Sequence, residues 1–103
     1  MSQRLCALDD LTDGEARRFD LDGRRLAVVR LGQEIYVIGD RCSHADVSLS
    51  EGEVHEGDKT LECWKHGSTF SLLDGHPTCL PATKAVPVFE ARVVDGDVEV
   101  VLA

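Results

Sequence analysis

The stretch that decides the fold of this chain begins with Cys42-Ser43-His44 and ends with Cys63-Trp64-Lys65-His66. Each end offers one thiolate and one imidazole, so the two ends together supply four metal ligands. Two Cys and two His can close a tetrahedral zinc site. Mixed Cys/His pairs also suit a [2Fe–2S] centre in which the thiolates bind one iron and the imidazoles bind the other. Zinc sites usually pair like ligands, so the spacing favours iron–sulfur over the zinc alternative.

Outside this stretch, the sequence predicts an all-β chain. Three turn signals, Asp22-Gly23, Gly32-Gln33 and Asp95-Gly96-Asp97, each separate two runs rich in apolar and β-branched residues. Asp-Gly in particular favours the tight turn of a β-hairpin. No segment has the sustained apolar period of 3.6 residues that indicates an amphipathic helix. We therefore predict three hairpins, with strands at 17–21, 24–31, 34–38, 88–94 and 98–102.

The middle of the chain has a different composition. Glycine and proline recur between Cys42 and Pro81, and they leave only short runs, such as 60–63 and 68–72, that can form strands. We therefore predict one domain over residues 1–103. Its two ends form an antiparallel β-sandwich base, and a small metal-binding subdomain at about 41–82 is inserted between them.

Charge and cysteine usage narrow the function. The 19 acidic and 11 basic residues give a formal charge of -8, which repels nucleic acid and favours a partner with a basic docking face. Glu51 and Glu53, near the ligands, are candidates to contribute to such docking. No apolar run is long enough for a transmembrane helix or a signal peptide, so we expect a cytoplasmic protein. Disulfides are disfavoured there, and Cys6 and Cys79 are expected to be small buried residues.

The ligand stretch and the residues after it closely resemble Rieske-type ferredoxins, the ferredoxin components of bacterial ring-hydroxylating dioxygenase systems. The segments that carry the resemblance are Cys42-Ser43-His44, Cys63-Trp64-Lys65-His66-Gly67-Ser68-Thr69-Phe70, Asp74-Gly75, Leu80-Pro81-Ala82 and Val86-Pro87-Val88-Phe89. The resemblance implies an all-β Rieske-type fold and one [2Fe–2S] cluster per chain. It assigns Cys42 and Cys63 to the inner iron and His44 and His66 to the outer iron, with Pro81 on a loop that covers the cluster.

Departures from high-potential Rieske proteins are also informative. Those proteins have an additional disulfide across the cluster, whereas the matching positions here are Val47 and Lys65. They also have a serine and a tyrosine hydroxyl that donate to cluster sulfurs; Ser68 keeps the first, and Phe70 lacks the second. Donors to sulfur stabilise the reduced state, so we expect a reduction potential in the lower part of the Rieske range, roughly -150 mV.

The resemblance implies a soluble one-electron carrier that accepts electrons from a flavin-dependent reductase and delivers them to a terminal, aromatic-ring-hydroxylating oxygenase. We expect a monomer without catalytic residues of its own, which binds neither nucleic acid nor membranes. Two alternatives remain: a Rieske protein that serves another oxidoreductase or iron–sulfur assembly, and a zinc-stabilised interaction module without redox activity. His55 and His76 are expected at the surface.

Overall fold

The computed structural model describes residues 2–42, 47–65, 67–78 and 84–101. Within these ranges the strands are β1 (Ser2–Ala7), β2 (Ala16–Leu21), β3 (Arg24–Leu31), β4 (Glu34–Gly39), β5 (Val54–His55), β6 (Thr60–Glu62), β7 (Thr69–Ser71), β8 (Val88–Val94) and β9 (Asp97–Val101). The helical structure in the same ranges consists of two 3-10 turns, Leu8–Asp10 and Leu49–Glu51, and no described helix is long and apolar enough to cross a membrane. The predicted all-β class is confirmed.

Six strands form one antiparallel sheet in the order β1-β9-β8-β4-β3-β2, and it contains all three predicted hairpins. In two of them both turn residues have a positive φ: 52° and 75° at Asp22 and Gly23, and 51° and 79° at Asp95 and Gly96. This is the two-residue turn whose twist matches that of the strands. The predicted three-residue turn at 95–97 is wrong, because Asp97 is already the first residue of β9 and pairs with Val94.

The first strand, β1, is not among the predicted strands. It pairs with β9 along its length, with a register shift between Arg4 and Cys6. The side-chain amide of Gln3 in β1 donates to the carboxylate of Asp22 in the β2–β3 turn at 2.6 Å. Since β1 and β2 are the two edges of the sheet, this contact shows that the sheet folds over on itself as a sandwich.

Two cores lie on opposite faces of β3 and β4. The core inside the sandwich contains Cys6, Leu8, Leu11, Leu26, Val28, Ile35, Val37, Val98 and Val100. The second core contains Ala27, Val29, Ile38, Cys42, Leu49, Leu61, Cys63, Phe70, Leu72 and Val86. Because consecutive residues of a strand point to opposite faces, β3 supplies both cores and is buried on both sides. This double burial explains its continuous apolar run, which differs from the alternating pattern of a half-exposed strand.

The second core is covered by a three-stranded antiparallel sheet, β5-β6-β7, which lies in sequence between β4 and β8. Leu61 in β6 pairs with Phe70 in β7, and both are fully buried in that core. The two predicted strands of this region are shorter than expected, because Cys63 and Ser68 belong to the loop that joins them and Leu72 lies in the turn after β7. The small sheet thus holds the second ligand loop against the base.

Candidate metal centre

Two hairpin loops of equal length carry the predicted ligands. Loop 1 is the segment closed by the bridge between Arg41 and Ser48, and loop 2 is the segment closed by the pair Glu62 and Thr69. Each loop therefore has six residues between its closing pair.

The first residue of each loop is the predicted cysteine ligand. The backbone N–H of Cys42 donates to the carbonyl of Val47 at 3.1 Å, and that of Cys63 donates to the carbonyl of Ser68 at 2.6 Å. In both loops the hydrogen bond thus joins the first residue to the sixth. These bonds satisfy backbone groups that would otherwise be buried without partners.

Both thiols are buried in the second core, where they suit a cluster iron. Cys42 is 2% exposed and Cys63 is 0% exposed, and neither forms a disulfide. An uncompensated thiolate in such an apolar region is costly, whereas iron or zinc compensates its charge. The thiol pair therefore fits the inner iron of a [2Fe–2S] cluster. His44, His66, Cys79 and Pro81 lie outside the described residues.

The base of loop 2 is buried and its middle is exposed. Gly67 has a φ of +77°, and its N–H donates to the carbonyl of Cys63 at 2.9 Å, so glycine at this position allows the loop to turn back. Ser68 and Phe70, the two positions of the family hydroxyl donors, are fully buried. By contrast, Trp64 is 54% exposed, which places a large apolar side chain at the surface next to the predicted ligand Cys63.

Asp40 supports loop 1 and was not predicted as a site residue. Its side chain is fully buried; one carboxylate oxygen accepts the N–H of Ser50 at 2.9 Å, and its carbonyl accepts the N–H of Leu49. The other oxygen has no hydrogen-bond partner among the described residues and lies 3.9 Å from Nε of Arg18. The sequence signal for Asp40 was an acidic residue at the end of a predicted strand, two positions before the predicted ligand Cys42. Asp40 ties the Leu49–Glu51 turn to loop 1.

The two described histidines are both surface residues, as predicted, and both face carboxylates. Nε2 of His55 lies 3.0 Å from Oε1 of Glu62, and this hydrogen bond raises the pKa of His55. Nδ1 of His76 lies 3.3 Å from Asp74, whose pKa is lowered because it accepts the backbone N–H of His76. Among the described residues, only the His55–Glu62 pair has a further carboxylate nearby: the ligand atoms of Glu53, His55 and Glu62 lie within 4.8 Å of one another.

The fold and the paired loops define the class of the protein. The sequence profile of the family described as the Rieske [2Fe-2S] domain matches residues 1–90. The chain belongs to this family, and it therefore carries one [2Fe–2S] cluster. Family membership thus decides between the two metals in favour of iron–sulfur.

Relatives with ferredoxin roles narrow the class further. The chain is 41% identical over 93 residues to the ferredoxin subunit of 3-phenylpropionate/cinnamic acid dioxygenase from Escherichia coli strain K12, covering 90% of this chain and 86% of the relative. The ferredoxin of carbazole 1,9a-dioxygenase from Nocardioides aromaticivorans IC177 superposes with a TM-score of 0.96 at 33% identity, over 100% of this chain and 99% of the other. A chain from a complex of oxygenase and ferredoxin in carbazole 1,9a-dioxygenase superposes with a TM-score of 0.87 at 39% identity, over 96% of this chain and 91% of the other. The chain is a Rieske ferredoxin, an electron-transfer component and not a catalytic oxygenase.

Proposed function

We propose that Cys42 and Cys63 bind the inner iron of the cluster and that His44 and His66 bind the outer iron. The observation that carries this assignment is the burial of both cysteines in one core, at the first position of two loops with equal spans. Bound there, the cluster supplies one-electron chemistry. The residues of the chain hold it, exclude water from the thiolate side and, through Ser68, offer a hydroxyl at the buried base of loop 2.

We further propose that the protein accepts single electrons from a flavin-dependent reductase and delivers them to the terminal oxygenase of a ring-hydroxylating dioxygenase. Similar proteins are named as ferredoxins of dioxygenases, and one similar chain comes from a complex of oxygenase and ferredoxin, which supports the oxygenase as the electron acceptor. The formal charge of -8 supports docking to a basic face. We infer that the chain is one domain with its cluster-binding subdomain at about 41–82, works as a monomer, and resides in the cytoplasm, where reduced thiols remain available to iron.

The ligand assignment is tested by matched substitutions. Cys63→Ser is expected to abolish the visible absorption of the cluster, whereas Cys6→Ser, at a cysteine of the sandwich core, is expected to keep it. His66→Cys is expected to lower the reduction potential if a cluster assembles, because the site gains a negative charge. His76→Cys is the control on an exposed histidine outside loop 2. A cluster retained in Cys63→Ser, or equal potentials in the two His→Cys variants, would refute the assignment.

The electron-transfer role is tested with partners. Stopped-flow mixing with candidate flavoprotein reductases and oxygenases is expected to show fast reduction and fast reoxidation, both slowed by salt if the acidic surface steers docking. Reoxidation by an acceptor other than an oxygenase would replace this proposal with the alternative of another oxidoreductase.

A further inference from the structure

The outer face of the small sheet carries a polar row that the cluster does not use. Leu61 and Phe70 point into the second core, so alternation along the strands sends their neighbours outward. The residues on this side of the three strands, together with the residue before β5, are Glu53, His55, Thr60, Glu62, Thr69 and Ser71. Of these, Thr60 is buried. This face therefore combines carboxylates, hydroxyls and an imidazole.

Two of these residues are like charges that face each other. The N–H of Glu62 in β6 donates to the carbonyl of Glu53, the residue before β5, at 2.8 Å, so the two glutamates lie across from one another. Like charges in this arrangement are destabilising unless a cation lies between them. His55 follows Glu53 by two residues and therefore shares its face. The ligand atoms of the three side chains lie within 4.8 Å of one another.

We propose that Glu53, His55 and Glu62 bind a divalent transition-metal ion of the zinc type at the surface of the small sheet. One imidazole and two carboxylates are the donors that such ions accept, whereas magnesium and calcium prefer oxygen ligands alone. Bonds of about 2.1 Å in a tetrahedral site separate donors by about 3.4 Å. The pair of His55 and Glu62 is already at 3.0 Å, and Glu53 is exposed and free to rotate towards them.

A cavity beside His55, one of the three donors, leaves room for water on the ion. It has a volume of about 350 Å³ and is lined by His55, Asp58, Thr60, Thr69 and Thr78. A surface ion with three protein ligands completes its coordination with water, and this cavity has room for that water beside His55. The ion would also remove the repulsion between Glu53 and Glu62, and so stabilise the sheet that carries loop 2.

Zinc titration of the ferredoxin with its cluster tests this site. Isothermal calorimetry with zinc chloride is expected to show one saturable site, and zinc is expected to raise the melting temperature because it binds the folded state. The visible absorption of the cluster, recorded during the titration, is expected to remain constant, which shows that zinc has not replaced iron. This readout is independent of electron transfer, so a failure here is distinct from a failure of the proposed function.

Matched variants assign the ligands. Glu53→Gln and His55→Gln are expected to weaken zinc binding by at least about tenfold, because each removes one donor. His76→Gln is the control: His76 has a carboxylate neighbour at a similar distance but lacks a third donor among the described residues. Absence of saturable binding up to about 1 mM free zinc, wild-type affinity in His55→Gln, or an equal loss in His76→Gln would overturn the proposal.

Discussion

Replacing Gly52 with alanine is expected to displace the turn that supports both ligand loops. Gly52 follows the Leu49–Glu51 turn, and its backbone lies against that of Glu62, the residue before Cys63. A Cβ at position 52 would lie 1.6 Å from the carbonyl oxygen of Glu62. In real proteins a Cβ essentially never approaches another such atom to less than 3.0 Å. The φ of Gly52 is -86°, which any residue can adopt. The need for glycine is therefore one of space alone.

The expected loss in the free energy of unfolding follows from the contacts that must separate. The turn has to move away from β6 by about 1.4 Å, which breaks the 2.8 Å hydrogen bond between Glu53 and Glu62 at about 1 kcal/mol. It also draws the fully buried Leu49 partly out of the second core, and half of the burial energy of a leucine is about 1 kcal/mol. With residual strain of about 1 kcal/mol, the loss is about 3 kcal/mol. For a domain of this size that lowers the melting temperature by roughly 12–24 °C.

The matched control is Gly57→Ala. No atom lies within 4 Å of a Cβ at position 57, so this change is expected to be neutral or stabilising by up to about 1 kcal/mol. Both variants are compared with wild type by thermal unfolding and by iron content per chain, and Gly52→Ala is expected to bind less iron because Glu62 adjoins Cys63. A Gly52→Ala protein with full iron content that melts within a few degrees of Gly57→Ala would refute this reasoning.

Three further predictions concern single side chains. Phe70→Tyr is expected to raise the reduction potential of the cluster from its expected value, roughly -150 mV. A new hydroxyl that favours the reduced state by about 1 kcal/mol raises the potential by about 40 mV. Voltammetry that shows no increase would contradict this prediction. Cys6 is buried, and its pKa is raised first by this burial and then by the nearby charge of Asp10. Iodoacetamide at neutral pH is therefore expected to label Cys6 at least about tenfold more slowly than a cysteine in a peptide. Mass spectrometry measures the labelling rate, and rapid labelling of the folded protein would contradict this prediction. Glu62→Gln is expected to lower the raised pKa of His55 in an NMR titration. The His55–Glu62 pair stabilises the wild type fully below pH of about 6.5 and loses this contribution as the pH rises through the raised pKa; an unchanged pKa in the variant would contradict the assigned cause.

Local chemistry made the hairpins predictable. At Asp22-Gly23 and Asp95-Gly96 the turn depends on two adjacent residues that tolerate a positive φ. The cause of each turn is therefore contained in the local sequence. The third turn depends on a single residue with a positive φ, Gly32 at 65°. The candidate ligands Cys42, His44, Cys63 and His66 were also proposed from local sequence, because Cys and His donors at short spacings need only a loop to present them.

Pairing over long distances made other features unpredictable. Residues 2–7 contain few of the residues that favour strands, and β1 exists because β9 offers it a partner about ninety positions later in the chain. β5 has only two residues and depends on its register with β6. Asp40 is one acidic residue among 19 in the sequence, and only its burial under the Leu49–Glu51 turn distinguishes it from the others.

The sequence by itself determined the candidate donor residues, the positions of the three hairpins and the acidic charge of this ferredoxin, because each of these is a property of single residues or of neighbours. Tertiary structure alone decided that β3 is buried on both faces, that Cys42 and Cys63 begin loops of equal span, and that Glu53, His55 and Glu62 converge. These features depend on which strands pair and in which register. A shift of one residue would send every side chain to the other face, and the sequence pattern alone does not specify that choice for strands of two or three residues.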